Sequence, residues 1–171
     1  MENLLDWSRI QTGKIKVSPG NFDLNSLIQQ IIGIFQINAS EKKINIDTCI
    51  EPCLKTFADK DLVDTVVRNL LSNAIKFTRP GGNIRIQAFT HDGYVEVGVS
   101  DNGIGILPEN LSKLFRIDET VSTEGTARET GTGLGLVLCK EFIEKNGGKI
   151  SVESKMNEGS KFSFTLPGAK D

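Results

Sequence analysis

A single histidine, His91, and three cysteines are all the soft metal ligands that these 171 residues offer. The Cys49/Cys53 pair has no second ligand pair at a suitable spacing, which excludes the usual zinc cages. An odd number of cysteines scattered over apolar segments also excludes a disulfide scaffold, and Cys49, Cys53 and Cys139 are expected to be free buried thiols. The formal net charge is only −2 and no basic block occurs. That leaves no electrostatic footprint for nucleic acid or for a membrane surface. No apolar run approaches the roughly 18 to 20 residues of a spanning helix, and the N-terminus lacks a basic lead followed by a long apolar stretch. The expectation is a soluble, cytoplasmic chain whose partner is a small molecule or another protein; a parent protein anchored in an inner membrane stays open.

With 38% hydrophobic residues the chain can build one ordinary core. Residues 1–12 carry a short helical stripe of Leu4, Leu5, Trp7 and Ile10, punctuated by Gly13, and look like the stub of a longer helix. A short strand is expected at 14–17. Asp23 or Asn21 can then cap a helix over 24–40 whose apolar set is Leu27, Ile28, Ile31, Ile32 and Phe35. Strands are expected at 44–50 and 55–58, and Asp59 or Asp61 opens a second helix. After Pro80-Gly81-Gly82, segments 83–90 and 94–100 form a hairpin across His91-Asp92-Gly93. A short helix at 108–115 and a polar, mobile loop at 116–130 precede a last helix at 134–146 that exits through Gly147-Gly148. Segments 149–153 and 161–166 close the chain as another hairpin. Strands gathered around three helices argue for an α/β two-layer sandwich, one mixed sheet with its helices on a single face.

Three features carry chemistry. Within DLVDTVVRNLLSNAIKFT, Asn69, Asn73 and Lys76 share one helical stripe beside the apolar face of Leu62, Val63, Val66, Leu70, Ala74 and Ile75. Two amides and an ammonium so placed suit a metal-bound polyphosphate. VSDNGIGI places Asp101, Gly103 and Gly105 at a strand end, where glycine permits close backbone approach to a ligand. GTGLGL, with Gly131, Thr132, Gly133, Leu134 and Gly135, runs directly into the last helix, whose exposed N–H groups form a seat for phosphate.

NLLSNAIKFT, DNGIGI, LFRID, GTGLGL and GSKFSF stand in the order and spacing of the ATP-binding catalytic domain of sensor histidine kinases, a Bergerat-type fold in the class that also holds gyrase, Hsp90 and MutL. The resemblance covers residues 15–167, and the stub at 1–14 resembles the end of the dimerisation helix that precedes such domains. It implies a mostly antiparallel sheet with three helices on one face, and ATP and Mg²⁺ as cofactors. Asn73 resembles the asparagine whose amide oxygen holds Mg²⁺, with Asn69 as its neighbour. Lys76 is similar to the lysine that reaches toward phosphate, and Phe77 to the aromatic packed near the nucleotide, although a core phenylalanine would look the same. Asp101 resembles the aspartate that accepts a hydrogen bond from the adenine amine and so rejects guanine. Arg116 aligns with an arginine that can reach the terminal phosphate; Arg128 is a second candidate with a solvated loop residue as its alternative. Gly131, Gly133 and Gly135 resemble the hinge and phosphate seat, and Ser160 with Phe162 the closing box, whose hydroxyl supports the adenine pocket. Leu111 and Leu114 depart from the family, where phenylalanines are frequent.

Relatives of the gyrase and Hsp90 type carry a glutamate where this chain has Asn69, positioned as a general base for water. A neutral amide cannot take that proton, so phosphoryl transfer to a protein is expected over hydrolysis. His91-Asp92 imitates an acceptor pair, yet Gly93 follows at once and the segment reads as a strand turn. The implied acceptor is therefore a histidine on a dimerisation helix absent from this chain, with a response regulator receiver domain downstream. The alternatives are an anti-sigma-type serine kinase and a nucleotide-binding interaction module without transfer.

Overall fold

The computed structural model describes residues 16–116, 125–127 and 133–170. The stub at 1–14, with Trp7, lies outside the described residues, as do Arg128, Gly131, Thr132 and most of the loop expected at 116–130. Among the described residues seven strands and four helices follow one another as β1 (Gly20–Asp23), α1 (Leu24–Glu41), β2 (Asn45–Ile50), β3 (Lys55–Ala58), α2 (Lys60–Phe77), β4 (Asn83–His91), β5 (Tyr94–Asp101), α3 (Pro108–Leu111), α4 (Gly135–Lys145), β6 (Ile150–Lys155) and β7 (Gly159–Pro167).

Both long N-terminal helices start at an aspartate. The Asp23 carboxylate accepts the Ser26 N–H at 3.0 Å, and Asp59 accepts those of Asp61 and Leu62 at 3.1 and 3.2 Å. Each satisfies donors that the first helical turn leaves unpaired. Leu24, Leu27, Ile28 and Ile31 of α1, Val63, Val66, Val67, Leu70, Leu71 and Ala74 of α2, and Leu138, Cys139, Phe142 and Ile143 of α4 are buried at helical spacing.

Those faces meet a five-stranded sheet of order β2-β4-β5-β7-β6, parallel only between β2 and β4. Alternation fixes which side is core. Ile86, Val99, Phe162 and Val152 form one cross-strand row and Ala88, Val97, Phe164 and Ile150 the next. Each row presents apolar side chains to the helices, and burying one such large side chain contributes roughly 1.5–3 kcal/mol. The opposite rows, such as Arg85, Ser100, Lys161 and Glu153, are polar. Asp92 (φ 48°) and Gly93 (φ 79°) give the β4–β5 hairpin two left-handed turn residues, the arrangement whose twist matches the flanking strands. The expected two-layer sandwich and its mixed, mostly antiparallel sheet are what the chain forms.

Three local expectations need correction. No strand forms at Lys16 or Val17, and residues 14–15 lie outside the described set; the strand is Gly20–Asp23, paired antiparallel with β3. Its Gly, Asn and Asp have little strand propensity of their own. Pairing imposes the extended form, and the Asn21 amide is taken up by the Lys170 backbone at 2.7 and 3.0 Å rather than by a helix cap. The helix expected at 108–115 ends at Leu111. Beyond it, successive N–H groups bond three residues back, Lys113 to Asn110 and Arg116 to Lys113, a chain of tight turns rather than an α-helix. Finally, Cys49 and Cys53 are exposed and only Cys139 is buried. β2 is an edge strand and Cys49 lies on its outward phase, a placement that local apolar neighbours do not reveal. Among the described residues no helix is long and apolar enough to cross a membrane.

Candidate functional site

One end of the sandwich gathers the polar stripe of α2, the glycine loop after β5 and the start of α4. Asp101 closes β5 in register with Ser160 and shares the inward phase of Val95, Val97 and Val99. Its carboxylate is therefore aimed into the apolar layer. Burial holds its pKa above the ordinary carboxylate value, opposed by N–H groups of Gly103 and Ser160 that stabilise the charge. The Gly103 N–H lies 2.8 Å from Oδ1.

The loop that follows is pressed against two neighbours. A Cβ on Gly103 would overlap the Phe77 carbonyl, and one on Gly105, at φ 70°, would overlap that of Lys155. The Ile104 N–H donates to the Phe77 oxygen at 3.1 Å and the Asn157 N–H to the Ile104 oxygen at 2.8 Å. Ser154 completes the support: its hydroxyl accepts the Ile106 N–H at 2.9 Å, donates to the Gly159 carbonyl at 2.8 Å and lies 3.0 Å from the Ser160 hydroxyl. Ser160 thus reaches Asp101 through its backbone, while its hydroxyl faces Ser154.

On α2, Asn69 donates Nδ2 to the Thr65 carbonyl one turn earlier at 3.0 Å. A Cβ on Gly135 would stand 2.7 Å from Asn69 Oδ1, so the amide oxygen borders the first turn of α4 directly. Asn73 is half-exposed and, among the described residues, its amide makes no hydrogen bond. The Lys76 ammonium lies 4.7 Å from the centroid of the Phe77 ring. At the entry to α4, Gly133 takes φ 71° and Leu134, in the cap position, offers no side-chain acceptor. An 11-residue helix therefore starts with N–H groups that no capping side chain among the described residues satisfies, beside an amide oxygen on a neighbouring helix. Its positive dipole end and bare backbone suit phosphate, and the adjacent amides suit a hard cation that shares phosphate oxygens.

The fold brings Asn69 against Gly135, Phe77 against Gly103, and Asp101 against Gly103 and Ser160; Gly105 packs on Lys155, Asn73 and Lys76 continue the helix of Asn69, and Gly133 and Leu134 lead into α4. Arg116 is exposed at the close of the turns after α3, its N–H bonded to Lys113. Sequence patterns did not single out Ser154, nor Lys42 and Thr126, which meet the C-terminus of α2. Their partners are mostly backbone carbonyls, which leave no residue signature.

A two-layer sandwich with a glycine-flanked helix start beside an asparagine stripe, and a partly buried aspartate at a strand end, defines a class of nucleotide-binding domains. Residues 58–170 match the family of histidine kinase-, DNA gyrase B-, and HSP90-like ATPases. Histidine protein kinase DivJ of Caulobacter vibrioides is 33% identical over 169 residues, covering 98% of this chain and 28% of DivJ. Sensor histidine kinase TmoS of Ectopseudomonas mendocina is 36% identical, covering 98% of this chain and 17% of its own length. The chain thus spans less than a third of these curated relatives. Among solved structures, the catalytic domain of histidine kinase ThkA superposes with a TM-score of 0.78 at 32% identity, covering 89% of this chain and 97% of that domain. Full-length ShkA in complex with AMPPNP gives 0.86 at 27% identity, covering 99% of this chain and 35% of ShkA. The chain belongs to this ATPase family, as the ATP-binding catalytic domain of a histidine kinase.

Proposed function

We propose that this domain binds Mg²⁺·ATP and transfers the γ-phosphate to a histidine on its own kinase's dimerisation helix, from which a response regulator takes it. The observation that carries the proposal is Asn69 beside Gly135. The position next to the phosphate seat holds an amide already engaged with the Thr65 carbonyl, not a carboxylate able to deprotonate water. Hydrolysis is disfavoured and a protein nucleophile is favoured. The one histidine of the chain, His91, lies exposed at a hairpin tip against Asp92, with no helix to present it.

In this scheme Asn73 and Asn69 hold Mg²⁺ through amide oxygens. Among the described residues no group of three His, Cys, Asp or Glu forms an all-protein cage, and a magnesium ion that keeps waters and phosphate oxygens does not require one. Held there, Mg²⁺ would supply positive charge against the triphosphate. Lys76 adds a point charge there and Arg116 a guanidinium, and the backbone of Gly131, Thr132, Gly133, Leu134 and Gly135 supplies N–H donors. Asp101 accepts the exocyclic amine of adenine, Phe77 walls the base, Gly103 and Gly105 let the backbone approach it, and Ser160 fixes Asp101 from the opposite strand. ThkA has been solved in complex with the response regulator protein TrrA, with a TM-score of 0.74 to this chain at 26% identity; a receiver domain is the downstream partner proposed here. Residues 1–14 are proposed to continue the dimerisation helix.

The test supplies the parent kinase's dimerisation-helix domain separately, with γ-labelled ATP and this chain. Acid-labile label on the helix domain is expected. Acid-stable label would mean a serine acceptor, and nucleotide binding without any transfer would leave an interaction module.

A further inference from the structure

All four terminal carbonyls of α2 are engaged, one by the residue that follows the helix and the others from three further parts of the chain. Ala74 accepts the Thr78 N–H at 3.0 Å, and Phe77 accepts Ile104 from the glycine loop. Between them, the Lys42 ammonium donates to Ile75 O at 2.8 Å and Lys76 O at 3.1 Å. Its third proton faces Thr126 Oγ1 at 2.8 Å. Thr126 in turn donates its N–H to Lys76 O at 3.0 Å, and its hydroxyl lies 3.0 Å from Lys76 O and 2.9 Å from Thr78 O. Lys42 is the C-cap of α1, so a half-buried cation from one helix closes the end of the next.

We infer that Lys42 and Thr126 are positioning residues for the phosphate end of the nucleotide site. Helix ends fray because their last carbonyls lack partners, and a cation there is favoured by the helix dipole. The turn so clamped carries Lys76, while Phe77 at its end is held through its own carbonyl by Ile104. An ammonium with three acceptors cannot release one carbonyl without losing part of a charge-assisted set. It therefore couples the end of α1, the last turn of α2 and the chain at 125–127 into one unit. The base end is tied separately, through Ile104 to Phe77 and through Gly103 and Ser160 to Asp101. Loss of Lys42 should fall on phosphate recognition and spare the base. The inference rests on the proposed role of Lys76 toward phosphate, but the clamp itself can be judged without nucleotide.

The experiment uses the whole chain and compares Lys42→Met, Thr126→Val, Thr126→Ser and the combined Lys42→Met/Thr126→Val. Calorimetry with Mg²⁺·AMPPNP and, separately, with adenosine reads the two ends. Lys42→Met is expected to weaken AMPPNP binding about tenfold, the worth of a charge-assisted hydrogen bond, with adenosine affinity held within about twofold. Thr126→Val moves the same way by less, Thr126→Ser restores the parent value, and the combined variant is no more than about twofold weaker than Lys42→Met because the hydroxyl acts through the ammonium. In the nucleotide-free chain, hydrogen exchange at the Thr126 amide should accelerate about tenfold in Lys42→Met. Equal losses for adenosine and AMPPNP would mean general loosening and overturn the inference. So would unchanged AMPPNP affinity in both Lys42→Met and Thr126→Val, or unchanged Thr126 exchange. An unaltered chain that binds no AMPPNP would remove the nucleotide assignment, whereas the exchange result judges the clamp on its own.

Discussion

Gly135→Ala separates the stability of this domain from its function. The added methyl would stand 2.7 Å from Asn69 Oδ1 and 3.5 Å from its Cγ, closer than side chains pack, so one of the two must move. Gly135 sits in a helix without a positive φ, so the backbone itself accepts alanine. The yielding partner is the Asn69 amide, the free end of a short side chain, which swings away and gives up its 3.0 Å bond to the Thr65 carbonyl. That bond contributes about 1 kcal/mol. Alanine returns up to about 1 kcal/mol through its higher helix propensity, less in a first turn. The net change in stability is within about 1 kcal/mol, or under about 1 M in the urea midpoint. Nucleotide binding loses an aligned amide and the open approach to the α4 backbone together. At roughly 1.5–3 kcal/mol for contacts to a charged group, Mg²⁺·AMPPNP affinity should fall about 10- to 150-fold. Urea unfolding followed by circular dichroism, and calorimetry with Mg²⁺·AMPPNP, measure the two quantities. Unchanged affinity would show that the Asn69–Gly135 contact lies outside the nucleotide site. A stability loss above about 3 kcal/mol would show that the amide cannot yield. In an Asn69→Ala background the same substitution should cost less affinity than in the parent chain, since only the closed approach to the α4 backbone then remains to be lost.

Asp101→Asn should abolish nucleotide binding yet stabilise the free domain at neutral pH. Burial raises the folded-state pKa of Asp101 above its unfolded value, so its favourable contribution is complete only below the unfolded value and is lost as pH rises through the folded one. At about pH 7 the buried carboxylate is then a cost that asparagine removes, and the advantage in thermal melts should shrink toward about pH 4; an advantage independent of pH would refute the assignment. Phe164→Ala, at the largest fully buried side chain among the described residues, should cost about 3–5 kcal/mol in urea unfolding, and a loss under about 1 kcal/mol would mean that the sheet–helix interface is not the core. A thiol reagent should label Cys49 and Cys53 in the native chain and reach Cys139 only after unfolding, because burial both hides that thiol and pushes its pKa up. Rapid native labelling of Cys139 would contradict the packing of α4 on α2.

Helices announced themselves wherever an acidic cap preceded an apolar period, as at Asp23 and Asp59, because capping and amphipathic burial are both local properties. Strands with clean alternation, such as β4, β5 and β7, were equally legible. β1 was not, since its extended form comes from β3, more than thirty residues away. The exposure of Cys49 has the same origin, since a half-apolar strand reads alike whether it runs at the centre of a sheet or along its edge, whereas Cys53 lies in the turn between β2 and β3.

Which residues could serve a nucleotide was set by the chain itself. Amides at helical spacing, an aspartate at a strand end and glycines before a helix are defined by side-chain chemistry and local geometry. How those parts are held was decided only in three dimensions. The contact of Asn69 with Gly135, the Ser154 support beneath Asp101 and the Lys42 clamp on α2 join segments remote in sequence, mostly through backbone oxygens. Every residue carries such an oxygen, so its use leaves no mark on the sequence until the fold brings a donor to it.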